Sequence, residues 1–160
     1  MNLNSSFLAD LSFVEQPEGE FNINILRFDM PGASVALPDL GSVNLPGLKM
    51  ALIELKGKLS GGKLTIESGK LGNTNDEFFG DIKGELGLTF MNSNGQIVPI
   101  LNNYDVDLNL KASSAFHSQA KFILDFFLSN CRTDLPEGVQ YKCKVKGLSM
   151  GMPPQVTSLR

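Results

Sequence analysis

One histidine, His117, and two cysteines, Cys131 and Cys143, are the side chains with the widest chemical scope in this 160-residue chain. A nucleophile activated by His117 would need a serine or cysteine at hydrogen-bond distance. Ser114 and Ser118 are near in sequence, but no Gly-x-Ser-x-Gly elbow is present, so His117 reads as an ordinary surface or half-buried residue. The cysteines are spaced too widely for a redox C-x-x-C motif, and no histidine stands beside them at zinc-ligand spacing. Taken alone they fit either a disulfide closing a short loop or two buried thiols.

The carboxylates are scattered. Asp105 and Asp107 share one face of a strand and would be the pair to test for acid–base work, although neighbours on a wet face are ordinarily only solvated. The segment Asn73-Thr74-Asn75-Asp76-Glu77 has the oxygen content of a calcium loop without the glycine and terminal glutamate of an EF-hand. Gly61-Gly62 is not followed by a helix, so it is no phosphate loop. No catalytic, cofactor or metal constellation emerges, and the chain reads as a non-enzymatic binding or structural module. A net charge of −3 gives no basic face for nucleic acid.

The elements that would position any site are mostly strands. Ile82, Gly84, Leu86, Leu88 and Phe90 alternate with Asp81, Lys83, Glu85 and Thr89. Tyr104, Val106, Leu108 and Leu110 alternate with Asp105, Asp107, Asn109 and Lys111, and Val139, Tyr141, Cys143 and Val145 with Gln140, Lys142, Lys144 and Lys146. Period-two alternation of this kind predicts antiparallel strands with one dry and one wet face. Phe21 to Phe28 reads as an earlier strand. Ser60-Gly61-Gly62-Lys63 and Asn92-Ser93-Asn94-Gly95 supply turns. The stretch Pro31 to Pro46, rich in Pro, Gly and Ser, predicts an extended, irregular crossing over residues 31–47 rather than a ladder.

One helix is expected, capped by Ser113 or Ser114 and running from Ala115 to Leu128, with Phe116, Ala120, Ile123, Leu124 and Phe127 at helical spacing. The pattern apolar-Lys-Gly-x-Leu at Leu55–Leu59 recurs at Ile82–Leu86, with a looser copy at Val145–Leu148, and places Gly57, Gly84 and Gly147 where strands bend or approach closely. The expected fold is mainly β (α+β): a curved, partly closed antiparallel sheet with one amphipathic helix from the C-terminal half packed on it. Residues 1–160 form one domain, with 1–19 as a poorly ordered lead-in. No stretch approaches the ~18 apolar residues of a membrane span, and the start lacks the order of a signal peptide.

Leu45-Pro46-Gly47-Leu48-Lys49 through Phe90 resembles the core of the type II secretion system protein N family. The shared features are the proline-rich lead-in, Leu55-Lys56-Gly57-Lys58-Leu59-Ser60-Gly61-Gly62-Lys63-Leu64-Thr65-Ile66, then Leu71-Gly72 and Gly80-Asp81-Ile82-Lys83-Gly84-Glu85-Leu86. The strand at Asp105 to Lys111, the helix, the strand Tyr141 to Gly147 and the ending Gly147 to Pro154 continue the same order, so the resemblance covers residues 20 to 156. The patterns are similar, more distantly, to AsmA-like envelope proteins. The resemblance implies a periplasmic domain, anchored to the inner membrane by a segment beyond this sequence. It would be an accessory part of the exporter that docks with inner-membrane platform proteins or the outer-membrane secretin. It also implies that Cys131 and Cys143 form a disulfide tying the helix end to the last strand. The alternative expectation is a lipid- or hydrophobe-binding groove, lined by Phe28, Phe90, Phe122, Phe126 and Phe127.

Overall fold

The protein is described by a computed structural model over residues 2–8, 16–37, 41–94, 96–148 and 153–159. Its elements are β1 (Asn2–Leu8), β2 (Glu18–Met30), β3 (Ala33–Leu37), β4 (Gly41–Leu45), β5 (Leu48–Ser60), β6 (Lys63–Leu71), β7 (Phe78–Ser93), β8 (Gln96–Ser113), α1 (Ser114–Leu128), a 3-10 turn at Ser129–Cys131, β9 (Arg132–Leu135), β10 (Gly138–Gly147) and β11 (Gln155–Ser158). The main sheet is antiparallel and runs β1-β2-β5-β6-β7-β8-β10-β11, with β9 also on β10. It is mainly β, with one helix packed on it, and it does not close into a barrel.

Alternation in the sequence becomes alternation across the whole sheet, because the registers align like with like. One row reads Leu3, Ile23, Leu55, Gly69, Ile82, Leu108, Cys143. The row beside it on the other face reads Asn24, Glu54, Lys70, Asp81, Asn109, Lys142. One side of the sheet is therefore apolar from β1 to β10 and the other is charged. Register shifts at Lys56/Gly57, Ile66/Gly69 and Gly87/Leu88 interrupt three neighbouring ladders. Such bulges bend the strand and increase its twist.

The recurring glycines explain themselves at two of these positions. The Phe21 ring lies over Gly57, its partner across β2 and β5, and the Tyr104 ring lies over Gly147 across β8 and β10. A side chain at either position would collide with the aromatic ring, so the bare backbone gives the ring its seat.

Two expectations are corrected. Residues 31–47 do not form an irregular crossing: β3 and β4 pair antiparallel as a separate two-stranded sheet, with Ser34 and Ser42 hydroxyls hydrogen-bonded across it. Pro31 and Pro46, which lack a donor, stand outside both ladders, so they bound the hairpin instead of breaking it. Residues 1–19 are not merely a lead-in, since Asn2–Leu8 pairs residue for residue with Glu18–Asn24. Gly95 of the predicted turn and residues 149–152 of the predicted ending lie outside the described residues.

Helix α1 covers the apolar side at one end only. Ser113 caps it, its Oγ accepting from the Phe116 amide at 3.1 Å. Phe116 and Ala120 are buried against Leu110, Ala112, Val139, Tyr141 and Cys143, and the Phe116 and Phe78 rings sit 5.2 Å apart. Cys131 and Cys143 are joined, fastening the 3-10 turn onto β10 inside this cluster. At the opposite end, Leu88–Ser93 of β7 pairs with Gln96–Leu101 of β8 as a two-stranded ribbon beyond the β6 ladder, and the Leu88 N–H donates to the Gly62 carbonyl at 2.7 Å.

Candidate functional site: the uncovered apolar side of the sheet

The covered rows end quickly. Leu110, Tyr141 and Cys143 are buried beneath α1 and Leu59 on β5 is buried away from it, whereas Leu108, Val106, Val145, Leu86, Ile82, Leu64, Leu55 and Ile23 are only half-buried. The chain exposes 10451 Å², where a compact monomer of 17.4 kDa exposes about 7,900 Å² by the usual size scaling. The excess fits a sheet whose apolar side is covered only in part among the described residues. The strands β5 to β8 lie between hydrogen-bonded neighbours, so this face presents aliphatic side chains and few backbone groups.

The five phenylalanines do not converge. Phe122, Phe126 and Phe127 cluster on the outer side of α1, with ring centroids 6.0 Å and 4.9 Å apart along the series, and each is at least half exposed. Helical spacing accounts for two of them: Phe116 and Ala120 take the inward stripe, and positions 122 and 126 lie away from it. Phe127 was expected on the inward stripe and is 50% exposed. Phe28 is half-buried on β2 opposite Met50, next to Arg27, whose φ of 60° interrupts the alternation. Phe90 lies on the β7–β8 ribbon, where the Gln16 side chain bonds its backbone on both sides, accepting from its N–H at 2.8 Å and donating to its carbonyl at 3.3 Å. Helix patch and ribbon thus occupy opposite ends of β7 and β8. The ribbon carries an exposed apolar surface of its own, Met91, Ile97, Val98 and Ile100, for which the apolar run Ile97–Leu101 is the signal in the sequence.

The wet side is a cross-strand lattice of ions. Lys144 Nζ stands 3.0 Å from both Asp105 and Asp107, Lys146 reaches Asp105 at 2.8 Å, and Lys63 reaches Glu85 at 3.0 Å. Hydrogen bonds from Lys146 and Lys144 hold the Asp105 carboxyl below the usual carboxylate range. Asp105 and Asp107 are thus both charge partners of lysines. An open cleft of about 690 Å³ lies where this lattice meets the end of β10, lined by Tyr104, Asp105, Lys146, Gly147 and Gln155 among others. None of the five phenylalanines lines it.

His117 also has a partner the sequence did not show. Its Nε2 is 3.3 Å from Asp125 Oδ1 on the same helix, Arg132 Nη1 clamps both Asp125 oxygens at 3.0 and 2.9 Å, and the Tyr141 hydroxyl donates to Oδ1 at 3.3 Å. Burial pushes the Asp125 carboxyl up, but the His117 hydrogen bond and the Arg132 charge outweigh it and the net value is lowered. Ser118, the nearest candidate nucleophile, instead donates to the Ser114 carbonyl at 2.8 Å. Asp76, in the loop read for calcium, accepts the amides of Asn73 at 2.7 Å and Ala51 at 2.9 Å, which pins the loop to β5. Among the described residues no three His, Cys, Asp or Glu side chains gather as a metal site, and no helix is long and apolar enough to cross a membrane.

No protein-family profile, curated protein or solved structure matches this chain.

Proposed function

We propose that the chain is a non-enzymatic accessory component of a type II secretion assembly, a periplasmic domain that docks to other exporter subunits through the open apolar side of its sheet. The observation that supports this reading is the one-sided cover: α1 buries the rows at Leu110 and Tyr141, while the same apolar face continues half-exposed to β2. Leaving that much aliphatic surface in water costs about 25 cal/mol for each Å², and a partner that covers it recovers the loss. The occupant of this reading is an inner-membrane platform protein or the secretin, reached from an inner-membrane anchor. The buried Cys131–Cys143 disulfide fits an oxidising compartment.

A second reading is favoured by the character of the face itself. Because β5 to β8 already spend their ladder groups on one another, an occupant is held by contact area alone, as an acyl chain is. The domain would then be a lipid- or hydrophobe-binding protein of the envelope.

Native mass spectrometry of freshly purified protein, followed by denaturation and lipid extraction, separates the two. A bare polypeptide, two protons light for the disulfide, which crosslinks through cysteines placed at Leu86 or Val106 to an exporter subunit, supports docking. An acyl-lipid mass released on denaturation replaces docking with the groove reading. A bare polypeptide with no crosslink from those positions overturns both.

A further inference from the structure

The two edges of the sheet are built differently. On the β10 side, β9 and β11 are four residues each, set end to end, and bear the Arg132–Asp134 ion pair on β9. Short, charged, interrupted edges are the ordinary defence against pairing with another chain. On the other side, β1 is seven residues long, pairs with β2 without a register shift, and contains no charged residue and no proline. Among the described residues no strand lies on its outer side.

The sequence of β1 is also close to a palindrome in polarity, Leu3-Asn4-Ser5-Ser6-Phe7. We propose that the free edge of β1 pairs antiparallel with β1 of a second copy, about a two-fold axis at Ser5. An interface on such an axis must be self-complementary, and this register meets the condition. Ser5 stands opposite Ser5, Asn4 opposite Ser6, and Leu3 opposite Phe7, so apolar positions meet apolar ones and the polarity of each side of the sheet continues across the junction. The charges agree. Of the two acidic residues opposite β1, Glu18 pairs with Leu8 at the far end and Glu20, nearer the axis, pairs with Ser6; in the dimer the Glu20 row continues into Asn4 and Asn22 of the second copy. The two Glu20 residues are then about 15 Å apart, beyond the Debye length at physiological salt. One strand pair is a small interface, which places the dimer in the weak, concentration-dependent class.

The pairing is independent of what covers the apolar side, and its test reads position 5 directly. Ser5→Cys adds a single thiol, because Cys131 and Cys143 are paired and buried. Mild oxidation of Ser5→Cys gives a covalent dimer, while Leu8→Cys, which faces Asn2 of the second copy, does not crosslink at comparable yield. In sedimentation, the parent chain shifts from monomer toward dimer with concentration. Ser5→Lys and Ser5→Asp each stay monomeric, and an equimolar mixture of the two recovers the dimer. Equal crosslinking at positions 5 and 8, a parent chain that stays monomeric at every concentration, or a Lys/Asp mixture that stays monomeric overturns the proposal. Should a charged variant lose its circular dichroism, the comparison of Ser5→Cys with Leu8→Cys decides the matter alone.

Discussion

The Tyr141 hydroxyl donates to Asp125 Oδ1 across 3.3 Å and so fastens a fully buried side chain of β10 to the helix that covers it. Arg132 closes the same carboxylate from the start of β9, so helix, turn and strand share one anion. Beside it, the Cys131–Cys143 bond makes the second attachment. Together they hold α1 against the apolar side of the sheet.

Asp125→Asn should therefore weaken the fold by about 1–3 kcal/mol, the range for losing hydrogen bonds to a charged group. The folded Asp125 value is lowered, so its contribution is present above the unfolded value of about 4 and is lost as pH falls through the folded one. Thermal melts at decreasing pH should show an acid limb that is steeper in the parent than in Asp125→Asn.

The Tyr141 phenol is pushed up to about 12, first by burial and then by the Asp125 charge and hydrogen bond. With the folded value above the ordinary one of about 10, this contribution is intact below pH ~10 and is lost as pH rises toward the folded value. An ultraviolet titration should find the Tyr141 phenolate forming near 12 in the parent and earlier in Asp125→Asn. A phenolate that forms near the ordinary value in both proteins would show that the contact does not persist in solution.

Cys131→Ser should cost about 3 kcal/mol, because the bridge closes a short loop in the unfolded chain. For a domain of this size that lowers the melting temperature by roughly 6–12 °C. Reductant present during the melt should lower the parent by a similar amount and leave Cys131→Ser unchanged.

Leu110→Asp and Leu86→Asp occupy the same side of the sheet and should behave differently. Leu110 is 7% exposed beneath α1, so an unpaired charge there should prevent folding. Leu86 is half-buried on the uncovered rows, and its aspartate variant should remain cooperatively folded while losing whatever docks on that side. Circular dichroism and the crosslinking or lipid extraction described above report the two outcomes.

Gly57→Ala should destabilise by about 1–3 kcal/mol, since its methyl group meets both the Thr65 carbonyl and the Phe21 ring. At Gly147 the nearest obstacles all belong to the Tyr104 ring, which is able to swing aside. Gly147→Ala should cost less than Gly57→Ala in urea denaturation.

The faces of the strands, the span and cap of α1, the hairpin at Gly61-Gly62 and the special role of Gly57 and Gly147 were legible in the residues themselves. Each rests on local periodicity or on one residue's backbone freedom, and local rules carry that far. The Pro31–Pro46 stretch is the exception: its proline content predicts an irregular crossing, yet two five-residue strands fit between Pro31 and Pro46.

The sequence by itself determined that this chain would form a sheet with one dry side, one wet side and one helix. Only the tertiary structure decided how much of the dry side that helix covers, because coverage depends on where along long strands the helix lands. It also decided that Phe28, Phe90 and the three helix phenylalanines stand apart. Period-two and period-3.6 patterns give a residue its face but not its distance from another element's face. The contacts that settle those distances, Gln16 with Phe90 and Asp125 with Tyr141, join residues 74 and 16 positions apart, and no local pattern encodes them.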